Sequence, residues 1–381
     1  MSLSLYPAAS ISKPSNASWP SSLASCFRER EILLPNFSQA KSKSLTNGHR
    51  SSIRGVGWSI DGRRLATCSV DRSIRIWVPE RSIDHRASTE LRGHNDSVDQ
   101  LVWHPTNPEV LATASADRSA RIWDVRVKAS PSEAGGIASS DDGVSVINTP
   151  GSNINIAYHP SGDYLAVGDK SDTVSILDTR TNKILHTVCS RRPTPPTNDS
   201  SYTPTTVLAS WDEVNELTFS NDGSLLLLTS GSGSVHIHHT DSSPDSYARI
   251  HSHNAHPGNV FCLTPDPLGR FYATASSDSM ISLWDSREWL SRKMITTLVF
   301  PARTMGFSFD GELLAAGGED PFISIHATIT TTADDLVHKL PLAQGSMINT
   351  LAWHPTKYVL AYAGDETAKS DIGGVKVFNL S

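Results

Sequence analysis

A pattern of one shape returns seven times between Gly48 and Leu380, and a chain that repeats itself must stack equivalent units. The two clearest copies run Gly93-His94, Trp103-His104-Pro105, Ala114-Ser115-Ala116-Asp117, Trp123-Asp124, and then Ala255-His256, Asp266-Pro267, Ala275-Ser276-Ser277-Asp278, Trp284-Asp285. The short stretches between these signals alternate apolar and polar residues, as in Ile74-Arg75-Ile76, which is the period of a strand with one buried face. His-Pro, Asp-Gly, Ser-Gly and Asn-Asp pieces supply the hairpin turns. More worn copies pass through Trp58 and Trp77, Tyr158 and Asp178, Phe219 and Ile237, Phe307 and Ile325, and Trp353 and Phe378. An all-β chain is expected.

Gly-His, an apolar strand, Ser-x-Asp and a closing Trp-Asp together resemble the WD40 repeat, and the spacing of roughly 45 residues suits a four-stranded blade. The resemblance implies a seven-bladed β-propeller over residues 41–381. The last strand, Val375–Phe378, is only the third of its blade. Residues 41–47 precede the first Gly-His and are expected to pair there, closing the ring and covering an open edge. Residues 1–40, rich in Ser and Pro, are expected to form a disordered tail.

Each complete copy carries a His, a hydroxyl, an Asp and a Trp. The sets are His49, Ser69, Asp71 and Trp77; His94, Ser115, Asp117 and Trp123; and His256, Ser276, Asp278 and Trp284. Left unpaired inside a blade, any of these groups would cost about 1–3 kcal/mol, so they are expected to form one buried hydrogen-bonded chain. A hydrolytic triad uses the same residue types, but it occurs once in a molecule. Recurrence assigns these residues to structure.

Net charge −6 and a pI near 6.2 argue against a dedicated nucleic-acid binder. A locally basic lead-in (Arg28, Arg30, Lys41, Lys43, Arg50, Arg54, Arg63, Arg64) leaves only weak electrostatic contact with RNA. The four cysteines are scattered without a C-x-x-C pair, so neither a disulfide framework nor a zinc site is indicated. No apolar run approaches the ~18 residues of a membrane span. Pro7, Pro14 and Pro20 oppose an amphipathic transit helix. His236, His238, His239, His251 and His253 lack the cysteine or acidic neighbours of a metal site and are expected to face solvent or a neighbouring blade. Neither a phosphate-binding loop nor a nucleophile–base pair is found, so no cofactor and no small-molecule substrate are expected.

A binding surface is the better search. Four residues before Trp58, Trp103, Tyr158, Phe219, Pro265, Phe307 and Trp353, which end the first strand of each repeat, stand Arg54, Asp99, Ile154, Asn215, Phe261, Arg303 and Asn349. Polar residues predominate where a strand would ordinarily take Val or Ile. Arg54, Asp99, Asn215, Arg303 and Asn349 are therefore the candidate protein-binding face at the channel mouth; bonding to neighbouring loops is the competing role. Trp123-Asp124-Val125-Arg126 and Trp284-Asp285-Ser286-Arg287 fit a Trp-Asp-x-Arg pattern that docks some WD40 proteins on a cullin-based ubiquitin ligase, which supplies an alternative function as substrate receptor. Insertions at 128–143, 190–210, 328–335 and 365–373 are expected to fall in loops.

Beyond the repeat, Asp61-Gly62-Arg63-Arg64-Leu65-Ala66, Arg92–Leu101, Asn153-Ile154-Asn155-Ile156, Glu213-Val214-Asn215-Glu216 and Ala352-Trp353-His354-Pro355 resemble the third-subunit family of the THO complex, also called Tex. The likeness spans all seven repeats and departs in the amino-terminal tail and the Pro-rich 190–210 insert. It implies a non-catalytic nuclear subunit that couples transcription elongation to messenger-RNA packaging and export. It further implies docking on large helical THO subunits and, through them, an RNA helicase and export adaptors.

Overall fold

The computed structural model describes residues 27–45, 48–126, 143–189, 205–207, 212–240, 247–329, 335–365 and 373–380. The described strands form seven sheets arranged as a β-propeller, each built on four antiparallel strands. Blade one comprises Ile53–Trp58, Leu65–Ser69, Ser73–Trp77 and Thr89–Arg92. The innermost strands of blades two to seven are Val98–Trp103, Asn153–Tyr158, Val214–Phe219, Val260–Pro265, Ala302–Phe307 and Met347–Trp353. Blade three gains a fifth strand, Thr205–Val207, parallel to its outer Lys183–Cys189. The rest of the 190–210 insert, with residues 127–142, 330–334 and 366–372, lies outside the described residues.

The cores lie between blades. Ala66, Cys68, Ile74 and Leu91 of blade one pack on Val98, Leu101, Trp103 and Trp123 of blade two. Middle strands such as Leu65–Ser69 and Val174–Asp178 are buried along their whole length rather than at alternate residues, and a sheet covered on both faces must have a neighbour on each side. The aromatics ending the inner strands add directional links. Trp103 Nε1 donates to the Gly57 carbonyl at 2.8 Å, Trp58 Nε1 to Ala352 at 3.2 Å and Trp353 Nε1 to Gly306 at 3.0 Å.

The His-Pro turns do more than reverse the chain. His354 Nε2 of blade seven bonds the Gly62 carbonyl of blade one at 3.0 Å, and His159 Nε2 bonds Gly223 of the next blade at 3.0 Å. Gly62 has φ 71°, and a Cβ there would fall 2.3 Å from the His354 ring. Only glycine fits both the backbone and the close approach. These imidazole–glycine contacts clamp successive blades, a role hidden behind the turn pattern.

Ser42–Leu45 pairs antiparallel with Val375–Phe378, with Lys43 opposite Val377 and Leu45 opposite Val375. The seventh sheet is thus built from both ends of the described chain. The expected tail needs correction. Residues 1–26 lie outside the described residues, but residues 27–40 are ordered: Phe27, Leu34 and Phe37 are buried against Ala327, Val337, Leu340 and Phe378. Phe37 stacks on Phe378 with centroids 5.8 Å apart, and Arg30 Nη2 meets Glu312 Oε1 at 2.5 Å. Ser and Pro content suggested disorder, yet three large apolar side chains outweigh the ordering entropy of a short strap.

Candidate protein-binding face

The recurring polar sets form the buried relay, with a different hydroxyl from the one expected. Trp77 Nε1 donates to Thr67 Oγ1 at 3.0 Å; Thr67 Oγ1 lies 2.7 Å from His49 Nε2; His49 Nδ1 lies 3.1 Å from Asp71 Oδ2. Thr113 and Thr274 hold the same place in blades two and five. A neutral imidazole satisfies every link, donating from Nδ1 to the carboxylate and accepting at Nε2. Ser69, Ser115 and Ser276 are therefore removed from the relay. Their hydroxyls instead accept the backbone N–H of Asp71, Asp117 and Asp278, tying down the turn. Burial works to raise the Asp71 and Asp117 carboxyls, but bonds from His49 and His94, from Ser73 and Ser119, and from the Arg50 and Asn95 backbone N–H hold both below the usual range.

The relay ties blades one, two and five internally, and all seven blades present one distinctive residue each at the channel mouth. In six blades the ladder between the first two strands skips Arg54, Asp99, Ile154, Phe261, Arg303 or Asn349; in blade four the slip spans Asn215 and Glu216. A bulge leaves its extra residue unpaired and re-aims the side chain, which explains why polar residues are tolerated inside an apolar strand. All seven residues found by alignment sit at these bulges.

Their present partners differ. Arg54 is exposed. Asp99 accepts from Ser97 Oγ at 3.2 Å; burial raises its pKa, against the Ser97 bond and the charges of Lys170 and Arg54. Asn215 donates to Asn259 Oδ1 at 2.5 Å, and Asn349 to Asp365 Oδ2 at 3.1 Å. Arg303 pairs with Glu319 at 2.6 Å and lies over the Phe261 ring at 5.9 Å. Asn215 and Asn349 thus brace neighbouring loops, while Arg54, Phe261 and Arg303 remain accessible.

Deeper in the channel, Glu216 of blade four accepts from Gln100 of blade two at 3.2 Å and from Asn155 of blade three at 3.3 Å. Burial pushes its pKa up. This tie across three blades escaped sequence reasoning, because no spacing rule connects residues 116 apart. At the other end of the channel a cavity of about 310 Å³ is lined by Pro265, Met305, Phe307, Leu351, Trp353 and Pro355. Thr264, Ser308 and His354 give its wall polar groups as well, and the His354 imidazole already bonds Gly62.

The histidine run is interior rather than solvent-facing at its centre. His236 and His238 are buried, with Nδ1 bonded to Ser252 Oγ and to the Tyr247 carbonyl at 2.9 and 2.8 Å. Among the described residues no group of three His, Cys, Asp or Glu is placed to hold a metal. Arg126 of the first Trp-Asp-x-Arg pattern is bound to Asp124 at 2.5 Å. No helix among the described residues is long and apolar enough to cross a membrane.

Residues 40–78, 86–124 and 248–285 match the family described as WD domain, G-beta repeat. These are the blades with a complete relay. Over 337 residues the chain is 36% identical to THO complex subunit 3 of Arabidopsis thaliana, covering 87% of this chain and 94% of that protein. It is 23% identical to the WD repeat-containing protein AAC3 of Dictyostelium discoideum, over 90% of this chain and 67% of the other. Protein transport protein sec13 of Aspergillus clavatus is 29% identical over 72% of this chain and 94% of its own length.

Proposed function

The chain belongs to the THO complex subunit 3 family of WD40-repeat proteins, and on that premise we propose that it couples transcription elongation to messenger-RNA packaging and export in the nucleus, through protein contacts alone. Its place is that of a non-catalytic scaffold in the THO complex. Large helical THO subunits dock on the propeller, and an export helicase and adaptors join through them. RNA contact is indirect or weak, in keeping with net charge −6.

The observation that carries this reading is identity sustained across nearly the whole relative, not the repeat alone, which many propellers share. The rigid mouth, with Arg54, Asp99, Asn215, Arg303 and Asn349 set on bulges, supplies a surface for such contacts. Affinity purification of the tagged chain from nuclear extract at moderate salt tests it. Helical THO subunits in fixed stoichiometry are expected; their absence overturns the assignment.

A further inference from the structure

We propose that the outer edge of blade two, the strand Val144–Asn148, receives an extended segment of a partner protein as a fifth strand. The segment alternates β-branched and small polar residues and carries no charge at its centre. This rests on the reading of the chain as a protein-binding scaffold and specifies how one partner is held.

An outermost strand leaves half of its backbone donors and acceptors without a ladder partner, and native sheets blunt such edges with charge, proline, bulges or a covering segment. Six blades here do so. Their outer strands carry Lys43, Arg92, Lys183, Arg249, Lys293 and Lys339. In blades three to six the ladder to the outer strand also slips out of register. Val144-Ser145-Val146-Ile147-Asn148 has none of these devices. It holds no charged residue and no proline, and its pairing with Ser119–Trp123 keeps one register throughout.

The ladder fixes which groups are free. Asp124 donates its N–H to the Gly143 carbonyl and Thr149 to the Arg118 carbonyl, each at 2.8 Å. Inward-facing residues alternate along an antiparallel pair, so between those two bonds Ser145 and Ile147 face the neighbouring strand. Val144, Val146 and Asn148 therefore turn their N–H and C=O groups outward. No described strand pairs with that side.

Blade three shows such an edge completed. Thr205–Val207 lies parallel to its outer strand, with Val188 opposite Thr206, so the rim of this propeller admits a fifth strand. A partner's segment would do for blade two what the chain does for blade three.

Backbone groups call for a backbone as occupant. Val144, Ser145 and Val146 are half-buried and uncharged, and cross-strand pairing with Val or Thr suits them. The lead-in at 127–142 is dominated by Ala, Gly, Ser and acidic residues, with few of the β-branched and aromatic types that strands favour. A second copy pairing edge to edge would bring only 5 residues from each strand, against about 20–30 a side in a stable interface. The extended segment of a different protein, free to make further contacts beyond the strand, is the occupant that fits.

Fluorescence anisotropy with the full chain tests the proposal. One probe is a short labelled peptide alternating Thr and Val between Gln ends. The other is the same peptide methylated at alternate backbone nitrogens, which keeps its side chains and removes donors on one edge. The unmethylated peptide should bind about tenfold or more tightly, with little response to salt because neither strand is charged. Val146→Pro removes an outward N–H, a change that edge strands tolerate, and should weaken binding about tenfold or more. Val146→Lys keeps the backbone donors, adds the missing edge charge and should weaken it similarly. Ile250→Lys, on the outer strand of blade four, should leave binding unchanged. Hydrogen exchange should find the Val146 amide fast in the free chain and slowed by the peptide. Absent or equal binding of the two peptides, indifference to both Val146 changes, or slow Val146 exchange in the free chain would each overturn the proposal. Slowing that grows with protein concentration would assign the edge to a second copy and overturn it too. Co-purification of THO subunits by a chain that ignores the peptide defeats this inference and leaves the scaffold assignment standing.

Discussion

Thr113 receives the Trp123 indole N–H and reaches the His94 ring, so its hydroxyl serves two buried groups at once. Thr113→Val keeps the shape and strands both partners; a loss of about 1–3 kcal/mol is expected in urea unfolding. Ser115→Ala should cost less, since Ser115 secures only turn backbone groups. The sequence pattern pointed to Ser115 because Ser-x-Asp is the visible signal. Alternation could not separate the two, for residues 113 and 115 share a strand face; the choice is made by where His94 arrives from a distant loop. Protonation supplies a second test at this scale. Burial pushes His238 and His253 down from 6.5 to about 4. The unfolded chain therefore binds more protons between those values, and stability should fall as pH drops from 6.5 toward 4. Asp71 and Asp117, held low in the folded state, should add a further loss at still lower pH. Urea midpoints across the acid range check both windows.

At the scale of elements, the strap and the closing strand were unequally legible. Ser42–Leu45 could be anticipated because Val375–Phe378 needs an outer partner, and an unpaired edge is unfavourable. The strap could not, because Phe27, Leu34 and Phe37 show no period, and their sites on blades six and seven are built by residues some three hundred positions away. Phe37→Ala should cost about 3 kcal/mol, the usual range for emptying a buried aromatic site, with a lowered Tm. Lys43→Pro removes a backbone donor facing Val377. It should accelerate amide exchange in Val375–Phe378 more than in the strands of blade three. The bulges were visible only as polar residues in apolar strands; their register slips depend on how two strands meet, which one strand's sequence does not state.

For the molecule as a whole, every blade is wedged between two others, and no interface can be lost quietly. Removing residues 1–47 deletes the strap and the strand opposite Val375–Phe378 together. Light scattering at mild temperature should then rise with protein concentration, as bared edges join between molecules. Deletion of residues 1–26 alone should leave scattering and Tm unchanged. Blade number and order were readable from repetition. Contacts that cross the ring, such as Gln100 with Glu216 or His354 with Gly62, follow only once the circle exists.

Pairing Lys43 with Val377 also sets a timetable. Bringing together segments some 330 residues apart carries an entropic charge of about 5 kcal/mol, met only when the final β-hairpin has been made. At about 5–20 residues per second, the earliest strand to leave the ribosome waits tens of seconds for its mate. Through that interval the nascent protein is an open arc whose two raw ends offer unpaired edges to a chaperone.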